Sequence, residues 1–458
     1  MTIRAGRRPA AWLGVLLLLT ACAPATSSPS ASASAAASAS AVPSPGIGEV
    51  VPAPGSSSTV YEPNPAAIVV AIDPGHGGCL DWGVANTFRS GSEFSEKAMT
   101  LAIGLELKRA LEGQGISVVM TRQADEALAG DDYPDLGCHG PPFRDVNGDG
   151  EAGFDPEGKI RTRDELQSRL DLVNLARADV LISIHINSIT QDGVVFAIAA
   201  TQTYYTDETP WGVSATQPLA QLVQEGVVAA LDPAAAYDRQ DRGISAVNLY
   251  IVAPPLFVTT PDRPDPVKQP TRGALMPAIL TEVGSITLAA EADLLLSPSG
   301  QAVASQGIVA ALASYLGARP LAVRYDLLAG GGSAGVAPTA VAGDGPPFWP
   351  PVVEPATVTE GIAIRLTNTG TAAWPEGLRL EAGWAASDDP YLRQEPETLE
   401  ALDLAIAALR PGESVELRVP LTAPLGTARL VAWIGLAAPA ASLADLGSPA
   451  LQFATGPN

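Results

Sequence analysis

Three short apolar runs constrain this chain more than any other feature. Residues 66–72 read AAIVVAI, residues 180–184 read VLISI and residues 277–281 read PAILT. Each is bounded by turn residues and rich in aliphatic side chains, so each reads as a buried strand. Helical patterns lie between them. Over residues 95–113, Met99, Ile103, Leu107 and Ala110 fall on one face. Further helices are predicted over 162–178, near 216–231 and over 301–316, with further strands over Ile116–Thr121, Leu249–Ala253 and Ala278–Glu282. Strands alternating with helices predict an α/β domain over residues 66–317, a mixed or parallel sheet flanked by helices. Insertions rich in Pro, Gly and Asp interrupt it at 123–160 and around 254–273.

Each of the three runs ends beside a His or a Glu. The stretch AIDPGHGG places His76, one of only 3 histidines, in a glycine-flanked turn past the first strand. His185 emerges from VLISIHINS and Glu282 from PAILTEVGS. Glu96 sits one helical turn before Met99, on the same apolar face. A carboxylate there is costly unless it is paired or metal-bound. Taken alone, Glu96 also reads as an ordinary acidic residue at a helix N-terminus, and His185 as a satisfied core histidine. Taken together they fit a pattern, because ligands and catalytic groups in open α/β sheets gather at strand ends. Two His and a Glu suit catalytic zinc with one position open to water, and a further Glu suits a general base.

The blocks VAIDPGHGG, SEKAMTLAIGLELKRALEGQGISVVMTR, RLDLVNLARADVLISIHINS, RGISAVNLYIV and MPAILTEVGSI follow one another in this order. From about Ile68 to Leu316 the chain thereby resembles the zinc-dependent N-acetylmuramoyl-L-alanine amidases of bacterial cell walls. The resemblance implies that His76, Glu96 and His185 bind zinc and that Glu282 is the catalytic carboxylate. It implies that Arg169, Asn174 and Asn187 support the site or its substrate. The implied reaction cleaves the amide between the lactyl group of N-acetylmuramic acid and L-alanine in peptidoglycan. Two positions depart from residues common in that family: Ile186 stands for Ala after the second His, and Ser285 for Phe after Gly284. Three rival readings remain: another zinc hydrolase such as a peptidase, an inert wall-binding lipoprotein, and an adhesion module for which the enzyme is ancillary.

The ends of the chain read differently. Arg4, Arg7 and Arg8 precede an apolar core, Trp12 to Leu19, too short to span a bilayer, so residues 1–21 read as a targeting segment. The ending LTAC resembles the lipobox of bacterial lipoproteins, which implies cleavage before Cys22 and a lipid on it; an ordinary signal peptide is the alternative. Either way the protein is expected outside the cytoplasm, as a membrane-anchored lipoprotein in the first case. Residues 22–65 are low-complexity Ser, Ala and Pro, a composition that makes a flexible tether. The formal charge of −22 leaves no electrostatic footprint for nucleic acid.

With Cys22 taken by lipid, Cys79 and Cys138 are expected to form a disulfide; the alternative is Cys79 as a thiolate ligand near His76. Asp145, Asn147 and Asp149, with Gly150, match the opening of a calcium loop of the EF-hand type. Pro156 stands where its closing Glu belongs, so a solvated Asp/Gly turn is the alternative. His139, in a Pro/Gly loop, is expected at the surface. Residues 318–350 read as linker. Residues 351–458, with alternation such as Val415, Leu417 and Val419, read as a small all-β sandwich resembling the immunoglobulin-like domains of secreted bacterial enzymes. Its partner is left open.

Overall fold

The structure, a computed structural model, describes residues 67–146, 163–191, 194–252, 273–328, 358, 361–386, 399–404, 406–422, 430–439 and 441–455. The targeting segment, the tether with Cys22, and Asn147 and Asp149 of the expected calcium loop lie outside these residues. The catalytic-type domain runs β1 (Val69–Pro74), α1 (Glu96–Glu112), β2 (Ser117–Met120), α2 (Arg163–Ala176) and β3 (Val180–Asn187). A small hairpin, β4 (Thr190–Gln191) with β5 (Val194–Val195), leads to β6 (Ala199–Tyr205), α3 (Gln217–Leu231) and β7 (Arg239–Ala246). The domain closes with β8 (Ala278–Ser285), α4 (Ala289–Leu296) and α5 (Pro298–Gly317).

Six strands form one sheet in the order β2-β1-β3-β8-β6-β7. All neighbours are parallel except β6 and β8, so the sheet is mixed. The apolar runs are continuous because both faces are covered. Val70, Ile72, Ile182, Ile184 and Ile279 pack with the stripe Met99, Ile103 and Leu107 of α1 and with α3 and α5. The alternate residues Ala71, Leu181 and Leu280 pack with Leu170 and Val173 of α2. The α1 stripe continues at the buried Leu111, while Ala110 is only half-buried.

Three expectations change. Within the expected strand Leu249–Ala253, Tyr250–Val252 is a single 3-10 turn, with Ile251 and Val252 buried among the residues packed on α2; Ala253 lies outside the described residues. Strands β6 and β7 occupy stretches whose polar residues hid them. In the stretch read as linker, β9 (Val323–Leu327) forms a strand directly after α5.

That strand belongs to the second domain, with β10 (Ile362–Asn368), β11 (Arg379–Ala386), β12 (Glu400–Leu402), β13 (Ser414–Val419), β14 (Leu430–Ala438), β15 (Ala441–Ser442) and β16 (Leu451–Thr455). One antiparallel sheet is β13-β10-β9; the other is β12-β11-β14, with β15 and β16 both on β14. Both bury side chains in a shared core, including Tyr325, Ile364, Leu380, Ile434 and Phe453. The domain meets the main sheet at the N-terminal ends of its strands. Arg319 Nη2 donates to Gly447 O at 3.1 Å, and Arg324 donates to Ala67 O just before β1.

Candidate metal centre and catalytic carboxylate

The centre sits at the opposite, C-terminal ends of β1, β3 and β8. The turn after β1 carries His76 at φ 64°, a left-handed conformation that costs a non-glycine residue about 1–3 kcal/mol and must be held by its surroundings. Here Arg169 Nη2 donates to His76 O at 2.7 Å, and Asp81 Oδ1 lies 2.7 Å from His76 Nδ1. The contact with Asp81 fixes the ring and leaves Nε2 facing inward. Gly75 is required before it, since a Cβ there would fall 2.4 Å from the His185 ring.

Glu96 is the first residue of α1 and is buried. Its Oε1 lies 3.2 Å from His76 Nε2 and 3.1 Å from His185 Nδ1, and accepts from Ile186 N at 2.9 Å. Its Oε2 accepts from Val84 N at 2.8 Å. One ligand-type atom from each of His76, Glu96 and His185 lies within 4.8 Å of the others. Burial alone would raise the Glu96 carboxyl, but the two imidazoles outweigh it and hold it well below the usual carboxylate range. Two imidazoles converging on one carboxylate oxygen, with a second carboxylate behind one of them, is a donor set that fits a divalent cation. Glu96 is thus both the acidic first residue of α1 and a member of the cluster, because α1 starts at the site.

Glu282 lies next to His185 across the β3–β8 ladder. The residue is half-buried, and its Oε2 is sealed from solvent without a hydrogen-bond partner among the described residues. Burial, reinforced by the nearby Glu96 charge, raises its pKa well above the usual carboxylate value, with His76 opposing.

The other sequence candidates stand behind the centre. Arg169 is fully buried, bound to Asp73 Oδ1 and Pro74 O at 2.8 Å each and to Glu165 at 2.8 Å, so it braces the His76 turn and faces no open space. Asn174 is buried and holds the lead-in to β8: Nδ2 donates to Gly273 O and Oδ1 accepts from Leu275 N, both at 3.0 Å. Asn187 ends β3 beside a register shift, its backbone carbonyl accepting from Ile286 N at 2.9 Å. Ile186 and Ser285 are buried, at 1% and 0% exposure, and Ile186 meets the centre through its backbone N–H to Glu96. Cys79 and Cys138 form a disulfide, Cα to Cα 5.8 Å, which rules out Cys79 as a thiolate ligand. His139 is exposed. Of the calcium-loop residues only Asp145 is described.

Sequence reasoning passed over Asp73, Asp81, Lys97 and Arg122. Asp73 accepts from Thr121 Oγ1 at 2.6 Å and Ser183 Oγ at 2.7 Å as well as from Arg169. Arg122 is buried and donates to the carbonyls of Pro74, Gly75 and Lys97; burial lowers its pKa to about 10. Lys97 Nζ donates to Gly78 O at 2.6 Å and Asp125 at 2.7 Å. The available signal was position: Asp73 lies near the end of β1, and Arg122 just past β2.

Comparison with known proteins adds to this. A sequence model described as N-acetylmuramoyl-L-alanine amidase matches residues 70–314, just over half the chain. The germination-specific N-acetylmuramoyl-L-alanine amidase of Bacillus subtilis (strain 168) is 31% identical over 121 residues, 26% of this chain and 39% of that protein. Among solved structures, the N-acetylmuramoyl-L-alanine amidase from Clostridium difficile 630 is 25% identical over 55% of this chain and 98% of its own, with a TM-score of 0.37. The catalytic domain of the amidase CwlV from Bacillus (Paenibacillus) polymyxa var. colistinus is 25% identical over 54% and 98%, with a TM-score of 0.35.

Proposed function

The chain belongs to the N-acetylmuramoyl-L-alanine amidase family, and from that premise we propose that it hydrolyses the amide joining the lactyl group of N-acetylmuramic acid to L-alanine in peptidoglycan. The observation that carries the reading is the sealed, unpartnered Oε2 of Glu282 beside the His76, Glu96 and His185 cluster. In this reading those three residues hold zinc. Bound there, zinc lowers the pKa of a water and polarises the substrate carbonyl. The chain's own part is proton traffic. Glu282 takes a proton from the attacking water as the carbon–oxygen bond forms. It then delivers that proton to the alanine nitrogen as the carbon–nitrogen bond breaks. The products are a lactyl carboxylate and a peptide with a free N-terminal alanine. A raised pKa suits a carboxyl that must hold a proton between these steps. Asp81 keeps His76 in the tautomer that presents Nε2.

The same reading places the enzyme outside the cytoplasm, tethered through a lipidated Cys22, with an immunoglobulin-like C-terminal sandwich. Among the described residues no helix is long and apolar enough to cross a membrane. The test is a digest of purified peptidoglycan by the zinc-loaded full chain beside Glu282→Gln, reading new N-terminal alanine by mass spectrometry. We expect release by the parent and a loss of about 10²- to 10⁴-fold in the variant. Cleavage elsewhere in the stem, without new N-terminal alanine, would instead assign a zinc peptidase.

A further inference from the structure

The loop that carries the chain from His76 to Glu96 holds a partly exposed tryptophan. Trp82 is 38% exposed. Both of its chain neighbours touch the ligand set. Asp81 lies 2.7 Å from the His76 ring nitrogen, and a Cβ on Gly83 would fall 2.4 Å from Glu96 Oε2 and 2.5 Å from the His76 ring. The backbone of Trp82 therefore passes along the edge of the cluster.

Trp82 is also held in place from behind. Its Nε1 donates to Cys79 O at 2.7 Å, and Cys79 is tied by its disulfide to Cys138. Its carbonyl accepts from Lys97 N at 3.3 Å. The Lys97 ammonium, almost wholly buried, sits 5.4 Å from the ring centroid. A single exposed aromatic needs no explanation on a protein surface. This one differs, because its polar N–H is satisfied inward, a cation covers its ring from inside, and its backbone runs between two residues that touch the ligand set.

We propose that Trp82 is a stacking platform for the glycan of the substrate, a chain of β-linked N-acetylhexosamines; this rests on the amidase reading above. The face of an aromatic ring is electronegative and binds polarised C–H groups as well as cations. A pyranose ring offers a flat patch of such C–H groups. The glycan carries no free charge once its lactyl group is in the amide, so stacking and hydrogen bonds must recognise it. The stem peptide carries carboxylates and would call for an open cation. Around the Trp82 loop Lys97, Arg122 and Arg169 are buried and bonded inward, and Arg89 is paired with Asp293; the exposed Arg242 lies instead by Tyr204 on β6.

The experiment titrates chitotetraose into the zinc-loaded full chain and into Trp82→Leu and Trp82→Phe, by calorimetry, with zinc content measured in each. Steady-state kinetics on peptidoglycan run beside it. Trp82→Leu keeps apolar bulk without a ring and is expected to lose chitotetraose binding and to raise KM about 3- to 10-fold. Its kcat and zinc content should stay near those of the parent. Trp82→Phe should restore most of the binding. The proposal is overturned if the parent does not bind chitotetraose, if Trp82→Leu binds it as the parent does, or if zinc-loaded Trp82→Phe binds as weakly as Trp82→Leu. A failure of the amidase reading looks different: no N-terminal alanine appears with any variant, whatever the sugar titration gives.

Discussion

Asp73 and Glu282 lie on the same face of one sheet, at the ends of β1 and β8, and their surroundings treat them oppositely. Asp73 is fully buried and receives hydrogen bonds from Thr121, Ser183 and Arg169. Burial pushes its carboxyl up, but Arg169 and the two hydroxyls more than reverse this and hold it below the usual range. Glu282 is less buried as a residue, yet keeps one sealed oxygen with no donor among the described residues, and its carboxyl is raised. Under the proposed function, the contrast separates a charge that serves structure from one that serves chemistry. A structural carboxylate is surrounded until it cannot change state; a working one is left short of partners so that a proton can come and go.

The strongest way to break this comparison is Arg169→Met. It takes one donor each from Asp73, Glu165 and two backbone carbonyls and leaves the buried Asp73 charge without its cation, and should cost about 3–5 kcal/mol in denaturant unfolding. A cost under about 1 kcal/mol would mean that Asp73 is not a locked charge. The pH dependence sharpens the point. A folded pKa below the unfolded one gives stability that is present above the unfolded pKa and lost as pH falls through the folded one. The gap between parent and Arg169→Met should therefore be widest near neutrality and narrow below about pH 4.

Thr121→Val removes one hydrogen bond to the ionised Asp73 and should cost about 1.5–3 kcal/mol, read from the same unfolding curves with no change in zinc affinity. Asp81→Asn acts on the other side of the comparison. It should weaken zinc binding by about 10- to 100-fold in a competitive chelator titration, while the unfolding of the metal-free protein barely moves. The smallest effect is the most telling. In metal-free protein, Glu282→Gln should leave stability unchanged or raise it by about 1 kcal/mol, since it removes a carboxyl whose sealed Oε2 has no partner among the described residues. Clear destabilisation would place Glu282 with Asp73.

Much of this architecture was readable before any coordinates, and the failures have physical causes. Strands β1, β3 and β8 are aliphatic because both faces are covered, and α1 shows its stripe because only one face is buried. Strand β7 sits at the sheet edge with half-exposed residues, RQDRGISA, so no apolar run announces it. The run at 249–252 is apolar because it packs on α2, and short apolar runs do not distinguish a strand from a buried turn. At the centre, His76, Glu96, His185 and Glu282 stood out because each follows an apolar run or opens an apolar stripe. Asp81 and Trp82 did not, since their roles depend on a loop closing back on the His76 ring. Arg169 was noticed, but its inward direction depends on Asp73, which no spacing along the chain reveals.

Strand β9 carries one further consequence. It is continuous with α5, from which only residues 318–322 separate it, yet its ladder partner β10 begins at residue 362, beyond a long stretch of chain. A chain cut between 328 and 358 would give one piece that holds β9, a single strand of a three-stranded sheet, and another that holds the rest of that sheet and most of its core. Each piece would be a specific partner for the other. The molecule thus contains a natural split site, at which co-expressed halves should find one another and restore the whole without a covalent join.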